Sequence, residues 1–291
     1  MIWGNDLSKG IILSADATCD IGSELQKEYD VQLFYYHINI GDESYIDGIE
    51  ILPEDLYRAW RERGILPKTA AVTPEDYRKY FEKWVNDGYD IVHINLGSAL
   101  SGSHQNCNIT AQDIGHVYPV DGASLSTGVA LLVVKAGEMI KVGMSAQDIQ
   151  KELITLREKT HASFILDTLE FMKAGGRCNA VTAFGANLLR LKPEITVDNK
   201  AGGAMSVGKK YRGAIEKVLP EYVKDQLNGR SGIDYERIFI THSGSPSSDI
   251  ELVKQEITKY ADFKETYVTV ASGTISAHCG PRTLGILFMD R

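Results

Sequence analysis

Cysteine is scarce in this chain: four among 291 residues, at Cys19, Cys107, Cys178 and Cys279. No two stand at C-x-x-C spacing, so neither a zinc cage nor a disulfide framework is suggested, and a reducing compartment fits. Long apolar runs are missing as well. The longest, Val129–Val134, falls far short of the roughly 20 residues of a membrane span. Met1–Leu13 has no basic start followed by an apolar stretch, so no targeting signal is expected. Together these absences predict a soluble, cytoplasmic protein. Positive charge is in deficit too, with 31 basic against 39 acidic residues and a net charge of −8. Such a balance repels phosphate backbones and anionic membranes at long range, which argues against nucleic acid as a partner. There is no internal repeat, low-complexity tract, Gly-x-x-x-x-Gly-Lys-Ser/Thr phosphate loop or Gly-x-Ser-x-Gly nucleophile elbow.

What is present is ample apolar content, 43% of residues, in a chain longer than one core usually serves. Two domains are expected, residues 1–160 and 161–291. Ile11–Ser14 and Val31–Ile40 read as strands. A helix begins at Pro74, where Thr73 can cap it and Tyr77, Phe81, Trp84 and Val85 recur on one face. Ile91–Leu96 is apolar enough for a buried parallel strand, and helix-compatible sequence follows Ser101. Val117–Val120 is a further strand, and Thr127–Lys141 and Ala146–Lys159 are helices, the second capped by Ser145. This alternation predicts an α/β fold with a parallel sheet. After Thr160 the order changes: a strand at Phe164–Leu166, a short helix at Leu169–Lys173, strands near Pro193–Val197, Arg237–Thr241 and Tyr267–Val270, and helices near Ala214–Leu227 and Asp249–Tyr260. No long linker separates the halves, and a cleft between two closely packed domains is a common ligand site.

Three segments could carry chemistry. The loop Leu96–Ser103 is crowded with small hydroxyl residues and joins a strand to a helix. Its serines could simply cap the helix, but the position at the carboxyl end of a parallel strand favours an anion site. Ala271–Pro281 mixes small residues with a single histidine, His278. That imidazole could donate to a carboxylate or be a core histidine satisfied by a backbone carbonyl. In Leu66–Pro74, Thr69 is a loop hydroxyl ahead of the helix cap. Gly175-Gly176-Arg177 and the basic cluster Lys209-Lys210-Tyr211-Arg212 could bind anions or be solvated surface.

Taken in order, these pieces resemble the DegV family from about Ile11 to Phe288. Asp16–Asp20 is similar to the family's opening Asp-Ser-Thr-x-Asp, and Tyr45-Ile46-Asp47-Gly48 to its tyrosine-x-aspartate-glycine turn. Leu66–Pro74 resembles its Pro-x-Thr-Ser-x-Pro-Ser segment, and Ser98–Ser103 its Ser-x-x-Ser-Gly-Thr loop. Leu169–Arg177 ends, as in the family, on Gly-Gly-Arg; Lys192-Pro193 follows, and Gly273–Gly285 resembles the closing Gly-Thr…His-x-Gly-Pro motif. Departures are Ala15 and Ala17 in place of hydroxyls, Ala70, Ala71 and Val72 after Thr69, Gly122, His104 and Arg282.

The resemblance implies two α/β domains with a long-chain fatty acid such as palmitate or oleate between them, and no other cofactor. Its carboxylate would be held by Thr69, Ser98 and His278, so that Ser98→Ala weakens retention by about 1–2 kcal/mol. It also implies a bacterial carrier that presents this carboxylate to a separate ATP-dependent fatty acid kinase, with transient membrane contact possible. Arg177, Lys210 and Arg212, beside Lys209, would then form a patch for docking that partner. The rival reading is a small-molecule enzyme using His278 and Cys279, or a serine of the Ser98–Ser103 loop, as nucleophile. If Ala271–Pro281 is extended, adjacent residues point to opposite faces, which argues against a His278–Cys279 pair.

Overall fold

The computed structural model describes residues 8–182 and 191–291. In chain order the first half contains β1 Ile11–Asp16, α1 Ser23–Glu28, β2 Gln32–Phe34, β3 His37–Ile40, β4 Glu43–Ile46, α2 Pro53–Arg63, β5 Lys68–Thr69, α3 Pro74–Asn86, β6 Asp90–Asn95, α4 Ser103–Ile114, β7 Val117–Asp121, α5 Thr127–Lys141 and α6 Ala146–Leu156. The second contains β8 Thr160–Ile165, α7 Glu170–Gly175, α8 Asn179–Thr182, β9 Leu191–Asp198, β10 Ala204–Arg212, α9 Ile215–Leu227, β11 Ile233–Ser243, α10 Ser247–Ile257, β12 Glu265–Val270, α11 Gly273–Cys279 and β13 Thr283–Asp290.

A four-stranded sheet of order β2-β1-β6-β7 is parallel throughout, as the strand–helix alternation predicts. A six-stranded sheet of order β10-β9-β8-β13-β11-β12 is antiparallel except for the β11–β12 pair. Between the two sheets lies α5, whose run Val129–Val134 is buried all round. A helix apolar on every side has to be covered on every side, and here Leu13 and Val92 of one sheet and Phe239 and Leu287 of the other share a core with it. Outside the parallel sheet, Tyr77 and Phe81 of α3 pack with Cys107 of α4. Outside the mixed sheet, α9 and α10 bury Tyr222, Val223 and Val253 against Ile238, Ile240 and Phe288. Both arrangements match the amphipathic patterns of those segments, and Thr73 and Ser145 cap their helices by accepting from Asp76 N and Asp148 N.

Three departures position the site. The expected strand Val31–Ile40 is broken at Tyr35–Tyr36: β2 joins the parallel sheet, while β3 leaves it for a small antiparallel sheet of order β4-β3-β5. The break turns Tyr36 inward, where its hydroxyl donates to Asp16 Oδ2 at 2.9 Å. Second, the segment around His278 is helical, not extended. Its helix, α11, is capped from far away in sequence, with Asp47 accepting from Gly273 N (2.8 Å) and Thr274 N (2.7 Å) and Asp20 accepting from Ser272 N (2.8 Å). Third, β10 and β13 are strands that alternation does not single out. Every residue of β13 but the last is buried, so it offers no polar face to read.

Candidate functional site

A cavity of about 570 Å³, counting the space open to solvent at its mouth, lies where the loop after β6 meets α7, β8 and α11. Leu96, Leu100, Leu125, Phe164, Met172 and Met205 supply the apolar wall, and five of these six belong to one buried cluster with Met205 packed on it. A second, wholly apolar-faced void of about 340 Å³ adjoins it. The two share Leu125, Phe164, Ile275 and Cys279 as common lining, so these four side chains stand between the first cavity and a second one that reaches Leu287 and Ala271.

The polar end of the larger cavity is built by Thr69, Ser101, Arg177 and His278. Thr69 sits on β5, paired with Ile38 of β3, and His278 on the last turn of α11, 209 positions away in sequence. Thr69 Oγ1 and His278 Nε2 are 2.8 Å apart, so the structure brings together these two expected residues. The other ring nitrogen, Nδ1, is buried with no partner among the described residues. Burial, with the charge of nearby Arg177 adding to it, pushes the imidazole down to about 4, so His278 is neutral at physiological pH. Its neutral Nε2–H tautomer can donate to Thr69 Oγ1 and leave the threonine proton free for a ligand oxygen.

Ser98 is not part of this convergence. Its side chain is exposed and turned away, donating to Asp121 Oδ2 at 2.6 Å, while its N–H donates to Asp121 Oδ1 at 3.0 Å. The hydroxyl facing the cavity from the same loop is that of Ser101, 2.9 Å from Ser103 Oγ. Ser103 in turn accepts from Val72 N at 3.1 Å, tying this loop to the Thr69 segment. Sequence alone favours Ser98 because it opens the motif. The turn at Gly97–Leu100, closed by Leu100 N donating to Gly97 O at 2.9 Å, is what presents Ser101 to the cavity instead.

Arg177 stands at the cavity, apart from the other residues of the expected docking patch. It lines the cavity, with Nη1 donating to Gly175 O at 2.7 Å and Nε to Leu100 O at 3.4 Å. Lys209 is compensated by Glu221 at 2.9 Å and Asp225 at 2.7 Å. Lys210 and Arg212 lie on β10, both exposed, and neither lines the cavity.

Behind the Leu96–Ser103 loop is a buried cluster that sequence reasoning did not single out beyond its motif. Asp16, at the end of β1, accepts from Tyr36 and Tyr77 hydroxyls (2.9 and 3.0 Å), Asn95 Nδ2 (3.3 Å) and Leu96 N (2.8 Å), with His93 Nε2 at 3.2 Å. Burial raises its pKa, but these bonds, His93's first, outweigh it and hold the carboxyl below the usual range. The bond to Leu96 N fixes the start of the loop, and Tyr36 itself lines the cavity.

The nucleophile reading finds little geometric support. His278 and Cys279 are consecutive on a helix, where neighbours point about 100° apart, and burial pushes the Cys279 thiol up to about 12. That is far from the reactive thiolate range. Ser98 is paired with a carboxylate rather than with a basic ring. Helical rather than extended geometry is thus what separates the His278 and Cys279 side chains.

The comparisons agree with this fold. A DegV domain-containing protein of Clostridium perfringens is 29% identical over 97% of this chain and 98% of its own length. A DegV family protein from Thermus thermophilus, described by its fatty acid binding, superposes with a TM-score of 0.85 at 28% identity, covering 97% of this chain and all of that one. DegV of Bacillus subtilis, described as a fatty acid binding protein, shares the fold with a TM-score of 0.76 at 24% identity, covering 97% and 99% of the two chains. The profile of the DegV family, a family of uncharacterised proteins, matches residues 11–291. With that match spanning nearly the whole length, and the two α/β units and their sheets agreeing, the chain belongs to the DegV family.

Proposed function

We propose that this protein binds a long-chain fatty acid, palmitate or oleate in class, with the acyl chain in the apolar cavity and the carboxylate at Thr69 and His278. Its two units divide near residue 160, where β8 begins. The observation that carries the reading is the composition of the cavity: an apolar wall, adjoined across Phe164 and Ile275 by a second apolar void, with a neutral hydroxyl–imidazole pair among its polar lining. The fatty acid binding of the Thermus relative supports it. Each methylene withdrawn from water contributes about 0.8 kcal/mol, so a tail of some sixteen carbons supplies on the order of 10 kcal/mol before the costs of association. Affinity can therefore come from the tail, while the head needs only orientation.

Thr69 and His278 orient by hydrogen bonding, Ser101 adds a third hydroxyl, and Arg177 contributes positive charge from the solvent side, where screening keeps it from forming a rigid buried pair. A carboxylate held in this way stays open to a partner. That supports the finer reading, in which a separate ATP-dependent kinase phosphorylates the bound acid and Arg212 and Lys210 help to dock it. Organic extraction and lipid mass spectrometry of protein purified from a bacterial host should find one acyl chain per protein. A protein that yields none, and that takes up neither palmitate nor oleate after delipidation, would refute the carrier function. Acyl phosphate formation when a bacterial fatty acid kinase and ATP are added tests the finer reading separately.

A further inference from the structure

Gly175 and Gly176 look interchangeable in sequence, yet the structure gives them different tasks. Gly176 has φ +66° with nothing within 4 Å of where a Cβ would stand. It closes α7 in the left-handed conformation that glycine favours, its N–H donating to Met172 O. Gly175 is still helical and has no positive φ, so its backbone would accept alanine. A Cβ there, however, would stand 2.2 Å from His278 Nδ1 and 3.2 Å from the ring carbons Cγ and Cε1. The bare face of Gly175 is therefore the seat of the imidazole. The same residue's carbonyl takes the Arg177 guanidinium, so one backbone unit touches both nitrogen-bearing side chains at the polar end of the cavity.

We propose that Gly175 is a positioning residue for the ligand head: by presenting no side chain it sets the depth of the His278 ring and so holds Nε2 at Thr69. This rests on the fatty acid reading for its effect on affinity, though not for its effect on the ring. A methyl group at 2.2 Å cannot be accommodated without moving the imidazole. With Nδ1 against Gly175 and Nε2 already 2.8 Å from Thr69 Oγ1, the ring has no room to retreat straight towards the threonine, so it must swing aside and out of register with Thr69 Oγ1.

The test is a cycle of Gly175→Ala, His278→Ala and the double variant, in delipidated full-length protein titrated with palmitate. Gly175→Ala should weaken palmitate binding about ten- to a hundredfold, the scale of losing one hydrogen bond to a charged group. The imidazole titration of His278, followed by NMR, should move up from its buried position towards the roughly 6.5 of a free ring. In the His278→Ala background the same glycine substitution should change affinity by less than about twofold, because no ring remains to be displaced. Equal losses with and without the ring, or an unmoved imidazole titration, would overturn the proposal. If Gly175→Ala alone fails to fold, the double variant must recover folding, and its failure would likewise overturn it. Wild-type protein that takes up no palmitate would sink the proposed function instead, and the imidazole titration would then decide the role of Gly175 by itself.

Discussion

Replacing Thr69 by valine removes one hydroxyl and almost nothing else. The strand pairing of β5 with Ile38 is made by backbone atoms, and valine keeps the branched shape that a strand position favours. What goes is the oxygen 2.8 Å from His278 Nε2, together with its donation to a bound carboxylate. A hydrogen bond to a charged group contributes roughly 1.5–3 kcal/mol, so palmitate affinity should fall about ten- to a hundredfold. The tail should be indifferent, because no apolar wall residue is touched. Hexadecanol, with the same tail and an uncharged head, should therefore lose far less than palmitate. Isothermal titration of both ligands against wild type and Thr69→Val, at pH 7.5 and moderate salt, measures the two losses side by side. Equal losses for acid and alcohol would mean that the substitution disturbs the cavity rather than the head contact. No loss for the acid would mean that the carboxylate lies elsewhere, and either result refutes the placement.

Ser101→Ala should weaken palmitate binding by about 1–2 kcal/mol, whereas Ser98→Ala should change it by less than about 0.5 kcal/mol, since the Ser98 hydroxyl serves Asp121; the reverse ranking by titration would restore Ser98 to the site. Asp20, raised to about 7 by burial even though Ser126 and Ser272 donate to it, should make stability fall as pH rises from about 4 to about 7, because the folded chain there holds a proton that the unfolded chain has released. His161 and His278, each lowered to about 4, act with the opposite sign over about pH 4 to 6.5. The quantity to measure is therefore the urea-unfolding difference between wild type and Asp20→Asn, and a difference independent of pH refutes the assignment. Arg212→Glu should leave palmitate affinity unchanged and, where a kinase is added, slow acyl phosphate formation through weaker association, most visibly at low salt; loss of both functions would instead report a damaged fold.

Much of the fold was legible because its signals are local. The cap at Thr73, the apolar face of α3 and the all-round apolar run of α5 each occupy one stretch of chain, and each stretch meets the structure with boundaries within a few residues. The strand break at Tyr36 was hidden because its cause, the carboxylate of Asp16, lies 20 positions upstream. Helix α11 was hidden for the same reason in stronger form. Its sequence is short and carries glycine and β-branched residues of low helix propensity; Ser272 caps it locally, but the carboxylates that accept from Gly273 N and Ser272 N, Asp47 and Asp20, lie 226 and 252 positions away. Within the site, Thr69 and His278 were reachable from family motifs, and the structure places them in contact. The motif does not show that Ser98 bonds Asp121 while Ser101 lines the cavity, because a motif fixes the order of residues but not which of them a turn points inward, and Gly97–Leu100 forms such a turn.

Helix α11 explains why the two halves of the chain have to be read together. At its N-terminal end, Asp20 and Asp47 of the first half accept its free N–H groups. At its other end His278 returns to the first half through Thr69, while Cys279 and Ile275 line both cavities. The first half thus grips the helix at both ends, and both halves supply its flanks, Leu56 and Tyr57 of α2 and Phe171 of α7 sharing a buried cluster with Ala277. Further bonds cross beside it, from Ala99 N to Gly202 O at 3.0 Å and between Tyr57 and Ser243. A ligand whose head lies at Thr69 and His278 and whose tail passes Phe164 touches both halves at once. Its binding energy is therefore also energy holding the halves together, and the geometry of the head site depends on contacts that neither half can make alone.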